Sequence, residues 1–234
     1  TTTHKRKVGS ITIEENSLIY REVLDNAFQE YTNLIEVVIP YGFISIGTFA
    51  FGNCSSLTSI TIPESVTSIR DYTFRNCSSL TSVNIPEGVT TIGTFAFGNC
   101  SSLTSITIPE SVTNIGPSAF NGCSALISVN IPEGVTSISN STFSNCSSLT
   151  SITIPESVTT IGYQAFYRCS SLTSITIPAS VTTIRNNAFY RCSALTSVTL
   201  LRDNLTIEMF AQSQFAGTQA VFNITSTQNA ISLT

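Results

Sequence analysis

The stretch CSSLTSITIPESVT occupies residues 54–67 and returns letter for letter at 100–113 and at 146–159. Its apolar positions Leu57, Ile60 and Ile62 end in strict alternation among β-branched residues, which predicts a short strand with these three side chains turned inward. Ser59 and Thr61 then face outward. Pro63 ends the strand, and I-P-E-S suits a turn with proline at its second position. Val66 and Ile69 of the following V-T-x-I bring two more apolar side chains to the same core as a loose return, and the next x-x-A-F reads as one helical turn. The residue before each cysteine is Asn53, Asn76, Asn99, Gly122 or Asn145, types that tolerate the positive φ needed where a turn hands over to a strand; Arg168 and Arg191 hold that place in the last two repeats.

Outward from this stretch, Phe28, Phe51, Phe74, Phe97, Phe120, Phe143, Phe166 and Phe189 follow one another at a constant step of 23 residues. Pro40 to Pro178 and all seven cysteines, Cys54 to Cys192, keep the same step. The chain is therefore an array and not a pair of domains. One coil cannot bury Leu, Ile, Ile, Val, Ile and Phe alone, whereas stacked coils align each side chain with its copy and make one continuous core. Strands one coil apart then pair in parallel. Because a strand side packs more tightly than a helical side, the stack is expected to curve with its sheet on the concave face.

The pattern L-x-x-I-x-I-P-x-x-V-x-x-I-G-x-x-A-F-x-x-C resembles the leucine-rich repeat of BspA-like surface proteins over about residues 28–207. The resemblance implies a right-handed, curved leucine-rich-repeat solenoid, mostly β, with short helical turns opposite the sheet. It also implies display on a cell surface or secretion, and binding to molecules of a host or a neighbouring cell. It brings no shared set of functional residues. The ends depart from the pattern: residues 1–27 read as a tail and capping repeat, with three residues inserted between ITI and AF, and 208–234 as a C-terminal cap in which Phe210, Phe215 and Phe222 cover the last coil and 226–234 form a frayed or simple terminal strand.

Only 10% of the residues are charged and the net charge is −4, so no polyanionic nucleic acid is implied as a partner. The basic HKRK at 4–7 reads as a solvated terminus. No run of 18 apolar residues exists, so direct membrane insertion is not expected. The start lacks Met and a hydrophobic leader, as expected of a mature or excised piece.

Three rows of chemistry-bearing side chains follow from the register. The cysteines lack a basic partner, since the single histidine, His4, lies in the tail, and sulfurs that all point one way cannot converge on a metal. They are expected to be free, buried and structural. Glu64, Glu87, Glu110, Glu133 and Glu156 form an acidic row broken by Ala179 and Tyr41, which reads as a solvated stripe. Ser59, Thr61, Asn84, Thr107, Asn130, Thr153 and Thr176 belong to the outward, concave-face row of small polar residues. Such rows resemble those of ice-binding proteins, but asparagines interrupt every second rung.

Core positions hardly change between repeats, and what varies is the corner. Tyr163, Tyr167, Arg168, Arg185, Tyr190 and Arg191 are expected to gather over the last two regular coils, and Tyr with Arg is the composition of interface hot spots. The sequence thus points to a non-catalytic, monomeric binding or adhesion module without cofactor or metal, recognising a protein or glycan. The alternatives are ice binding and a passive spacer in a larger surface protein.

Overall fold

In the computed structural model, which describes residues 9–12, 21–201 and 214–225, each 23-residue repeat is one coil of a parallel β-solenoid. The basic stretch at 4–7, Phe210 and the terminal stretch 226–234 lie outside the described residues. Alternation does what it predicts in the first strand of each coil. In Ser59–Thr61, Ser105–Thr107 and Ser151–Thr153 the outer residues are exposed and the central isoleucine is buried. Neighbouring strands pair in parallel with like opposite like, Ser82 with Ser105, Val83 with Ile106 and Asn84 with Thr107. At the N-terminal end Ile11 pairs with Val37, an offset three longer than the repeat, while Val23 pairs with Ile46 at the ordinary 23.

V-T-x-I is more than a loose return. Ser68–Ile69, Thr91–Ile92 and Asn114–Ile115 are two-residue strands forming a second parallel ladder, Ile69 opposite Ile92 and Ile92 opposite Ile115. A repeat of constant length forces this, because once the first strands are in register every later residue lies beside its own copy.

The corner corrects the expectation of a helical turn: among the described residues there is no helix. Each corner is a run of turns with two left-handed residues, Phe49 (φ 55) and Asn53 (φ 63) in one coil, Tyr72 (φ 58) and Asn76 (φ 62) in the next. Alternate N–H groups divide their bonds. Ala50, Gly52 and Cys54 donate three residues back within the coil, to Gly47, Phe49 and Phe51. Phe49, Phe51 and Asn53 donate instead to the carbonyls of Asp71, Thr73 and Arg75 in the following coil, at 3.1, 2.9 and 2.7 Å. A helix would turn all these donors along its own axis; here half of them stitch coil to coil, so the buried backbone polar groups are satisfied without one.

The core is a column of repeated side chains. Phe28, Phe51, Phe74, Phe97, Phe120, Phe143, Phe166, Phe189 and Phe215 stack face to face, with centroids 4.8 to 5.6 Å apart. Offset-stacked pairs at such separations each add about 0.5–1.5 kcal/mol beyond their buried area. Leu57, Val66, Ile69 and Cys54, with their copies, fill the rest of the interior. Phe215 extends the column beyond the regular repeats, and Phe222 meets it edge-on at 5.1 Å.

Candidate functional site

The cysteine row can be assigned first. Each Sγ donates to the carbonyl of the phenylalanine 26 residues earlier, Cys54 to Phe28 at 3.0 Å and Cys77 to Phe51 at 3.2 Å, and so on to Cys192 and Phe166 at 3.0 Å. That carbonyl also accepts from the backbone N–H three residues on in its own coil, Tyr31 for Phe28 and a cysteine for the others, so both lone pairs are used. All seven thiols are free and buried. Burial pushes Cys54 and Cys123 from the ordinary 9.0 up to about 12, and it holds Cys77, Cys100, Cys146 and Cys169 well above that ordinary value. Neutral thiols without a base are packing groups, not nucleophiles.

The glutamate row is exposed, and along it the backbone N–H of Glu133 donates to Glu110 Oε2 at 3.2 Å. Among the described residues no group of three or more His, Cys, Asp and Glu side chains is placed to hold a metal ion. On the first sheet, Ser59, Thr61, Asn84, Thr107, Asn130, Thr153 and Thr176 are all exposed, with Asn84 opposite Thr107 and Asn130 opposite Thr153. This face is a regular row of small polar groups that gives way at its N-terminal end to exposed Glu36 and Val38, opposite Ser59 and Thr61.

The corner carries the distinctive chemistry, and it does so at two places. Near the C-terminal end, Tyr167 and Tyr190 stack at 5.6 Å with ring planes 5° apart. The Arg168 guanidinium lies 5.1 Å from the Tyr167 ring and that of Arg191 5.4 Å from Tyr190, so each rung repeats one cation–π pair. Arg168 and Arg191 have φ of 58° and 60°, the left-handed geometry that asparagine fills elsewhere, and their N–H groups still donate to the next turn, at Tyr190 and Ala216. Both are exposed. They line an open depression of about 520 Å³ together with Asn145, Ser147, Ser170, Ser193 and Gly217. Tyr163 and Arg185 belong to a different depression, with Thr183, Ile184 and Asn186. The six corner residues are thus brought into two groups of four and two.

The second place had its signal in the same variable corner positions but was not singled out from sequence. Phe49, Tyr72 and Phe95 stack at 4.5 and 5.6 Å, and Arg75 lies 5.6 Å from Tyr72 and 5.3 Å from Phe95. Gly52 and Gly98 make room for these rings, since a Cβ there would stand 2.8 Å from Phe49 Cδ1 and 2.7 Å from Phe95 Cδ1.

Stacked parallel coils with this core define a leucine-rich-repeat solenoid. The BspA type leucine-rich repeat region matches residues 4–127 and 113–233 in six copies, and the chain belongs to that family. No curated protein sequence matches it. Among solved structures it is similar to the leucine-rich-repeat protein TpLRR of T. pallidum, at 30% identity and a TM-score of 0.66 over 71% of this chain and 79% of that one. It is also similar to a leucine-rich repeat protein from Bacteroides ovatus, at 28% identity and a TM-score of 0.65 over 96% and 70% of the two chains. The pneumococcal vaccine antigen PcpA shares the fold at 21% identity, with a TM-score of 0.58 over 92% of this chain and 68% of that one.

Proposed function

We propose that this chain is a non-catalytic binding or adhesion module, displayed at a cell surface or secreted, that recognises a protein or glycan of another cell through its extended solenoid surface. The observation that carries the reading is the doubled Tyr–Arg rung: exposed Arg168 and Arg191 over half-buried Tyr167 and Tyr190, at consecutive corners of an array whose backbone is stitched coil to coil. Tyr and Arg dominate interface hot spots, and a surface that needs no reordering loses little entropy on binding. Membership of the BspA type family supports the location. Chemistry is not needed for such a role, and the neutral cysteine row offers none.

The test is attachment. The soluble chain is probed against surface protein extracts and a glycan panel, and compared with a variant in which Tyr167, Arg168, Tyr190 and Arg191 are all alanine. A fall in binding of tenfold or more with an unchanged melting profile is expected; equal binding by the two would remove the site assignment.

A further inference from the structure

Charge is distributed unevenly along this acidic chain. Between Glu156 and Asp203 there is no carboxylate, while Arg168, Arg185, Arg191 and Arg202 all fall in that stretch, four of the ten Lys and Arg residues. The glutamate row stops at the same point, with Ala179 in the place of Glu156 one coil on. Arg168 and Arg191 have no ion-pair partner among the described residues, although Arg70 has two, Glu22 at 3.5 Å and Asp25 at 3.7 Å. Two like charges one rung apart, about 5 Å by strand spacing, repel each other. Both residues also hold a left-handed backbone, for which Asn53, Asn76, Asn99 and Asn145 are the ordinary solution here. A like-charged pair with no ion-pair partner among the described residues is poorly explained by stability.

We infer that the depression between Arg168 and Arg191 binds an anionic saccharide, a glycan carrying sulfate or carboxylate groups, with the two guanidinium groups bridging one acidic substituent or a consecutive pair. This rests on the binding-module reading above and names the ligand class for its principal site. Each guanidinium is held over a tyrosine ring and so is pre-aimed, and its planar fork suits the two oxygens of a carboxylate or sulfate. The floor favours a sugar over a bare anion. The Ser170 hydroxyl donates to the carbonyl of Ser147 and the Ser147 hydroxyl to that of Ser124, each at 3.3 Å, which leaves their oxygens as acceptors for sugar hydroxyls. An anion alone would have no donors for them.

The variant that tests this is Arg168→Asn with Arg191→Asn, because asparagine occupies the same left-handed corner in four other coils and should fold there. Binding is measured at low salt to a heparin-derived sulfated oligosaccharide, to hyaluronan as a carboxylate-only chain, to neutral dextran and to inorganic sulfate. Saturable binding to at least one of the acidic chains, at least tenfold weaker in the double variant, absent with dextran and falling as salt is raised, is the expected result. Binding to neither acidic chain, or equal binding by the double variant, overturns the proposal, as does binding to inorganic sulfate as tight as to the oligosaccharides. If the chain instead captures a surface protein through these residues and neither acidic glycan, the saccharide class fails while the binding-module reading stands. If the fourfold alanine variant loses no partner, both fail.

Discussion

The corners at Asn53, Asn76 and Asn99 and those at Arg168 and Arg191 use the same backbone for different ends. The φ angles match, 59–63° against 58–60°, and in both sets the N–H donates to the next turn. The side chains differ. Asn76 Nδ2 donates to Asn53 Oδ1 at 2.6 Å and Asn99 Nδ2 to Asn76 Oδ1 at 2.9 Å, an amide ladder that serves the stack itself. The arginines make no such ladder and stand over tyrosines at the surface. One coil geometry therefore carries a structural set of corners and a surface-directed set, and only the second requires an explanation outside the fold.

Alkali should have the largest effect, because it acts on the core behind both sets of corners. The folded thiols of Cys54 and Cys123 ionise near 12 against 9.0 ordinarily, so the unfolded chain releases protons that the folded one keeps. Stability is fully present below about pH 9 and lost as pH rises towards 12, because the depressed species in the fold is the thiolate. Melting temperature measured from pH 8 to 11 should fall steadily, and native thiols should resist alkylation at pH 8; a flat profile would contradict buried neutral cysteines. Next in size is Phe120→Ala in the middle of the column, expected to cost about 3–5 kcal/mol in denaturant unfolding because neighbouring rings cannot close the gap.

Smaller changes separate the two sets of corners. Asn76→Ala removes two amide bonds and places alanine at a φ of 62°, with an expected loss of about 1–3 kcal/mol. Arg168→Asn should leave stability unchanged or raise it by up to about 1 kcal/mol, the relief of a left-handed arginine. A marked destabilisation by Arg168→Asn would mean that the arginine is structural after all.

The step of 23 residues, the inward Leu57, Ile60 and Ile62, the buried free cysteines and the left-handed residue before each cysteine were all legible from sequence, because each is written in residue type or spacing. The second left-handed residue was not. Phe49, Tyr72, Phe95, Ser118, Ser141, Gln164 and Asn187 hold φ between 51° and 59°, and their side chains share no feature that selects it. The neighbouring coils impose that geometry through backbone bonds, and without it x-x-A-F reads as a helical turn. The second ladder was missed for a related reason: two residues such as Thr91–Ile92 are too few to show a period, and only stacking makes them a strand. Of the candidate surface, the pairing of Tyr167 and Arg168 with Tyr190 and Arg191 followed from the register, whereas the separation of Tyr163 and Arg185 depends on which way the corner bends.

The corner bonds between coils have an electrical consequence. The N–H of Phe49, Phe51 and Asn53 and the carbonyls of Thr48, Ala50 and Gly52 belong to the same three peptide units, bonded forward to one coil and backward to the other. Each unit carries a dipole of about 3.5 D, and here they line up head to tail as they do in a helix, whereas dipoles in strands largely cancel. The corner edge is thus polarised with its positive pole towards the coils of Arg168 and Arg191, while elsewhere in the coil Gly47, Thr58 and Thr67 donate the other way, to Val23, Ile35 and Ile44. An anion approaching that end feels a backbone potential that no side-chain substitution removes.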